Sequence, residues 1–582
     1  WLKYQGTPPA WNARYNLLVA SMLRNSVTLA ASHSLLWLLS IASGSFPGPA
    51  DLRLPRRLPG MEADLPSDHF AGLVSVPSVS FEFPWPGSTP AMRSFFWFAE
   101  HEVGSAAQVD APPLILWIQG GPGGSSLGGG FTELGPLSLD SRSRATHMYN
   151  QSGIPTPLLN TFGWTKVGHL LMVEYADVGF SRCTQRCTWD DASVSNAMYQ
   201  FLLRLYDADL FPGLQQSQVW IAGESYAGIL VTVLAATIHR QNARGARHLI
   251  RLAGVLHGNG GVGHNAGGND GWWPVGFNTN DMPNDPMHHI DYFYRTGLTS
   301  ERIYKETLAA CPDVMRPSQI CREALQRMAR SIGDFTAVGM TQWNVYNIYD
   351  TCSDMPHGEN KMGRGGHQRW QLEAVSGINL RAHVKPLSSR REHLAFGPQD
   401  AAEFATTWAC LGRKVTEEYL NSPAVRKAIH IPENYASFTW SIETDLAYNC
   451  SNDDDEAILA NFSGCAMTDF RPMIAELIDN GVAFLVYSGD CDAQIPHTAT
   501  EAWTTGMGYA IIEDWQPWTL DGFVQGYAIR FAKNFTYATI KGAGHMVPMF
   551  RPRAALAMIQ RYISRQHLAQ TMFRAIQNTI IV

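Results

Sequence analysis

Short apolar runs of strand length recur along the chain, each closed by glycine or a polar turn. They span 94–100, 113–119, 169–175, 218–223 and 252–258, and later 482–489 and 537–544. Several are apolar at every position instead of at alternate ones, the pattern of strands covered on both faces. Helical spacing fills the intervals, notably 192–205 and 227–240, and again near 553–566. This alternation predicts an α/β sheet, mostly parallel, with helices on both faces. The pattern breaks between about 262 and 415. Gly- and Asn-rich sequence at 258–268 gives way to a helical block at 299–331 and a polar, basic run at 353–403. We read 262–415 as an insertion capping the sheet, its polar part largely loop. The core then falls into two parts, 51–261 and 416–582, behind an N-terminal extension of residues 1–50. No internal repeat is visible.

Composition narrows the class. The chain has 582 residues, 45% hydrophobic and 16% charged, with a net charge of −7. That apolar fraction supports a large packed core and excludes a disordered chain, and the charge argues against nucleic acid as a partner. Nine cysteines are scattered singly, so no metal site is expected. Sequons stand at Asn150, Asn449, Asn461 and Asn534, read as glycosylation sites. Met22, a following basic residue and the apolar run 35–39 read as a signal peptide, with translation starting at Met22. The run is too short for a stable membrane span. Together these features predict the secretory pathway, extracellular or vacuolar/lysosomal, where cysteines can pair.

The chemistry centres on Gly223-Glu-Ser-Tyr-Ala-Gly228. A strand precedes Ser225 and a helix follows it, the context of a nucleophile elbow, with small residues at Gly223 and Ala227 where the turn is tight. A serine hydroxyl needs a base, and the base needs an orienting carboxylate. His545 alone among the 19 histidines follows a late predicted strand within a glycine-flanked turn. Asp490 and Asp492 both follow the strand 482–489. Asp492 lies further along the loop and is taken as the acid, with Asp490 as a turn cap. After the strand 113–119 comes Gly120-Gly-Pro-Gly-Gly-Ser-Ser-Leu127, a loop that can present backbone N–H groups to an oxyanion. The expected donors are the N–H groups of Gly121 and Tyr226. No Gly-Lys-Ser/Thr follows, so a phosphate loop is rejected and no cofactor is expected.

With these segments in place the chain resembles the serine carboxypeptidases. The matching pieces are 116–127, Glu133-Leu-Gly-Pro136, Val178-Gly-Phe-Ser181, 223–228, 254–260, 346–350, 419–430, 487–492 and 541–548. The resemblance implies an α/β-hydrolase core with an inserted cap. It implies removal of C-terminal residues from peptides and proteins with a free C-terminus, through an acyl-enzyme. It places the triad on Ser225, Asp492 and His545, and the substrate carboxylate on Trp117, Gln119, Gly120 and Glu224. Two carboxyl groups sit together only by sharing a proton, so activity is expected to be best at acidic pH. The sequence departs from the family pattern with Gln at 119 in place of Asn and Gly at 124 in place of Cys. The segment 174–178 lacks the family's proline. An esterase or acyltransferase of the same fold, or a non-catalytic homologue, are the alternatives.

Overall fold

A computed structural model describes residues 49–102, 111–263, 287–314, 317–332, 334–335, 340–341, 344–349, 411–435, 437–444 and 469–568. The expected signal segment, the polar run 353–403, Asn449 and Asn461 lie outside these residues.

One sheet organises the core. Its long strands are β1 (His69–Val76), β2 (Met92–Ala99), β3 (Leu114–Ile118), β4 (His169–Val173) and β5 (Val219–Glu224). Then come β6 (Leu252–Gly258), β7 (Ala483–Gly489), β8 (Ile511–Leu520), β9 (Phe523–Phe531) and β10 (Phe535–Ile540). The spatial order is β1-β2-β4-β3-β5-β6-β7-β10-β9-β8, with Arg182–Cys183 as a short eleventh strand beside β2. The six strands from β4 to β10 are parallel, and each flank is antiparallel. The strands read as continuously apolar are these central ones. In β3 all five residues are buried, Leu114, Leu116 and Ile118 on one face and Ile115 and Trp117 on the other.

Each face is covered by helices. On the first lie α1 (Asp191–Leu205) and α2 (Ala227–Ala243), and α1 begins where Asp190 and Ser193 cap each other reciprocally. The opposite face takes α6 (Leu411–Asn421) and α7 (Pro552–Ile563), the latter through Ala555, Met558 and Ile559. Between β6 and α6 the chain forms α3 (Met287–Arg295), α4 (Glu301–Ala310) and α5 (Gln319–Ser331). The expected helical block at 299–331 is thus two helices, joined by the disulfide Cys311–Cys321. These helices share a separate apolar cluster that includes Ile290, Phe293 and Met328 and ends on Ala493. A second disulfide links Cys183 and Cys187, and Cys491 is a buried free thiol.

Candidate active site

The turns that carry the chemistry all lie at the carboxyl ends of parallel strands, where an open α/β sheet binds its ligands. Ser225 follows β5 with φ of 63°, a left-handed conformation that few non-glycine residues hold. Three backbone bonds hold it there. Its N–H donates to Gly258 O at 3.1 Å, and its carbonyl accepts from Gly228 N at 2.9 Å and Gly261 N at 3.0 Å. The turn leaves no space beside it. A Cβ on Gly223 would stand 2.6 Å from Val231 Cγ1 and 3.0 Å from Ala227 Cβ.

Asp492 follows β7 and His545 follows β10. Their side chains are buried, and His545 Nδ1 meets Asp492 Oδ2 at 2.7 Å. The carboxylate is held by three further donors: Gln494 N to Oδ1 at 2.8 Å, and Asn259 Nδ2 at 2.8 Å and Ile495 N at 3.2 Å to Oδ2. Asn259 is itself fixed, because its Oδ1 accepts from Gly489 N at 3.0 Å. The His545 ring lies 5.0 Å from the Tyr346 ring, and Tyr346 O accepts His545 N–H at 2.7 Å. Asp490 instead accepts the N–H of Gly542 at 2.6 Å, tying together the turns after β7 and β10. Asp492 thus engages Nδ1 and fixes the orientation of the ring.

The glycine loop after β3 lies directly on the Ser225 turn. A Cβ on Gly120 would be 2.7 Å from Ser225 Cβ and 2.8 Å from Tyr226 N. Gly121 and Gly123 have φ of 123° and 110°, open only to glycine. The N–H of Tyr226 stands at the start of α2, where the helix dipole favours negative charge.

Beside the elbow the structure gathers Trp117, Gln119 and Glu224. Trp117 Nε1 donates to Gln119 Oε1 at 3.1 Å, and Gln119 Nε2 donates to Glu224 Oε1 at 2.9 Å. The indole therefore sets which end of the amide faces Glu224. A group that the sequence reading left without a role joins them. Glu133 and Glu224 are both buried and lie close enough to share a hydrogen bond. Oε2 of each faces no other donor among the described residues. Such a bond requires a proton between them, since two ionised carboxylates repel. Burial pushes Glu133 up to about 7. It also raises Glu224 well above the usual carboxylate range, with the Glu133 charge as the next cause. The one sequence signal for Glu133 was its place in Glu133-Leu-Gly-Pro136.

Among the described residues, the group suited to a metal ion is Asp177, Cys183 and Cys187, and both of its sulfurs are in a disulfide.

A mainly parallel sheet with a nucleophile-type turn after β5, an acid after β7 and a histidine after β10 is an α/β-hydrolase. The chain belongs to the serine carboxypeptidase family, whose model matches residues 59–565. Serine carboxypeptidase-like 21 of Arabidopsis thaliana is 28% identical over 531 residues, covering 88% of this chain and 94% of that protein. Serine carboxypeptidase 1 of Hordeum vulgare is 26% identical, covering 88% and 92%. Among solved structures, a prohormone-processing carboxypeptidase from Saccharomyces cerevisiae, KEX1(Δ)p, aligns with a TM-score of 0.57 at 16% identity. It covers 89% of this chain and 97% of that one, a likeness of fold. The protein is accordingly a serine-type carboxypeptidase, a hydrolase of peptides. No helix among the described residues is long and apolar enough to cross a membrane.

Proposed function

We propose that Ser225, His545 and Asp492 form the triad that removes C-terminal residues from peptides and proteins with a free C-terminus. Ser225 Oγ attacks the last peptide carbonyl as His545 Nε2 takes its proton. His545 then returns that proton to the leaving amine, and water repeats the sequence on the acyl-enzyme. Asp492 holds the imidazole tautomer, and the N–H groups of Gly121 and Tyr226 receive the oxyanion. The observation that carries this reading is the buried 2.7 Å bond between His545 Nδ1 and Asp492 Oδ2.

Glu224, Glu133, Gln119 and the N–H of Gly120 take the substrate's terminal carboxylate, with Trp117 orienting Gln119. The shared proton lets a third carboxylate approach, which favours acidic pH. Asn150 and Asn534 are exposed, which suits glycosylation and the secretory route, extracellular or vacuolar. The assay is release of the last residue from N-blocked dipeptides. Wild type should cleave the free acid and spare the dipeptide amide, and Ser225→Ala should lose about a million-fold in kcat. Equal turnover of acid and amide would overturn the carboxylate site, and activity in Ser225→Ala would overturn the triad.

A further inference from the structure

Between Gly120 and Gly124 the loop has four glycines and Pro122, so it holds no polar side chain with which to fix itself. One turn bond closes it, Gly124 N to Gly120 O at 2.8 Å, and the other groups that shape it lie outside. On one side Gly120 presses on Ser225 and Tyr226, as described. On the far side Ser125 N and Thr444 N bond across to Ile442 O and Gly123 O, at 2.8 and 2.9 Å. From outside the loop, one side-chain atom holds the near end. Tyr175 Oη donates to Gly120 O at 2.9 Å and accepts from Gly123 N at 3.0 Å, so one phenol bridges both sides of the turn that contains Gly121.

Tyr175 is 1% exposed, and its ring packs in the core beneath the loop. Its backbone is anchored next door. The Glu174 carboxyl accepts from Ser125 Oγ at 2.5 Å, Trp440 Nε1 at 2.9 Å and the N–H of Phe180. A buried hydroxyl used fully as donor and acceptor, against a loop without polar side chains of its own, does more than fill space.

We propose that Tyr175 is a positioning residue for the oxyanion loop. Its phenol oxygen holds the Gly121 N–H at the place where the substrate's carbonyl oxygen becomes negative. This rests on Ser225 as nucleophile and on Gly121 and Tyr226 as donors. As Ser225 Oγ bonds to the acyl carbon and its proton passes to His545, the carbonyl π pair moves onto oxygen. A donor there must already stand about 2.7–3.1 Å away, because a loop that reorganises during the step loses much of its effect.

The test is Tyr175→Phe, which removes one oxygen and keeps the ring. Its kcat should fall about 10- to 100-fold with KM within about twofold, short of the loss seen when a donor is deleted outright. A peptide aldehyde, whose hemiacetal oxygen enters the hole, should lose affinity by the same factor. An N-acyl amino acid with a free carboxylate should bind as in wild type. Unchanged kcat and aldehyde affinity would overturn the proposal, as would equal weakening of aldehyde and acid. If the variant does not fold, 3,5-difluorotyrosine at 175 keeps the shape and alters the hydrogen bonds. An unchanged aldehyde-to-acid ratio then overturns it. Failure of the triad reading is distinguishable, because wild type itself would then bind no aldehyde.

Discussion

One extra methylene at position 119 is accommodated because its neighbours lack side chains. A Cβ on Gly129 would stand 2.1 Å from Gln119 Oε1 and 2.6 Å from Trp117 Nε1, and one on Gly124 would stand 3.1 Å from Gln119 Cγ and 2.6 Å from Gly120 O. Two departures from the family pattern therefore meet at one place. With Gln at 119 and this loop path, a cysteine at 124 does not fit, and the backbone bridge between Gly124 and Glu443 stands there instead. The Glu133–Glu224 proton yields a prediction with a definite sign. Below about pH 7 Glu133 is protonated along with Glu224, and the uncharged pair should accept a carboxylate. Above it Glu133 ionises, and KM for free-acid peptides should rise about tenfold per pH unit. Initial-rate profiles check this, with a double variant Glu133→Gln, Glu224→Gln expected to show a flat KM. Asn259 gives a second test. Asn259→Asp keeps the size and the tolerance of φ 38° but cannot donate to Asp492 when ionised. Its kcat should drop about 10- to 100-fold, the worth of a hydrogen bond to a charged group. An unchanged kcat in that variant would sink the role.

At the scale of elements, the periodicity located every central parallel strand, because those strands are apolar at nearly every position. It passed over β1, β8 and β9. Along β8 the exposed residues Ile511, Ile512 and Trp515 alternate poorly with polar ones, and the pairing with β9 has irregular register. The solvent-facing β8 and the exposed start of β9 carry no buried periodicity, whereas β1 is buried at six of its eight positions and this reason does not apply to it. The site follows the same division. Ser225, Asp492 and His545 each sit in a local turn with its own glycine or strand signal, and so were legible. Glu133 lies in a buried helical turn, and nothing local shows that Glu224 is its neighbour. Helix α2 shows tertiary context reversing a propensity. Gly228 lies in its first turn, where alanine ordinarily stabilises a helix. Here a Cβ would stand 2.4 Å from His257 Nε2 and 2.6 Å from Gly261 O, backbone that also holds Ser225. Gly228→Ala should therefore destabilise by about 1–3 kcal/mol, read from denaturant midpoints, and should lower kcat as well. A stabilised, fully active variant would refute this.

For the whole molecule, buried titratable groups predict a stability maximum in mildly acidic solution. Burial lowers His69 and His169 to about 3, and His257, His289 and His497 to about 4. The unfolded chain binds these protons from about pH 6.5 downward, so stability falls as pH drops through that range. Burial raises Glu174 to about 7, and raises Glu133 and Glu224 as described. The folded state keeps these protons while the unfolded chain has lost them above about pH 4.5, so stability falls as pH rises toward and past 7. The two sets oppose each other between about 4.5 and 6.5, and only one acts on either side. Thermal melts across pH should peak within that interval, and a maximum above pH 7.5 would contradict the assignment.

The sequence by itself determined the α/β class, the order serine, aspartate, histidine, and the glycine loop, because each is written in consecutive residues whose backbone requirements are local. Only the tertiary structure decided which distant groups meet: Glu133 with Glu224, Asn259 with Asp492, Tyr175 with the glycine loop. Those contacts depend on how parallel strands order themselves across the sheet, and no local preference carries that information.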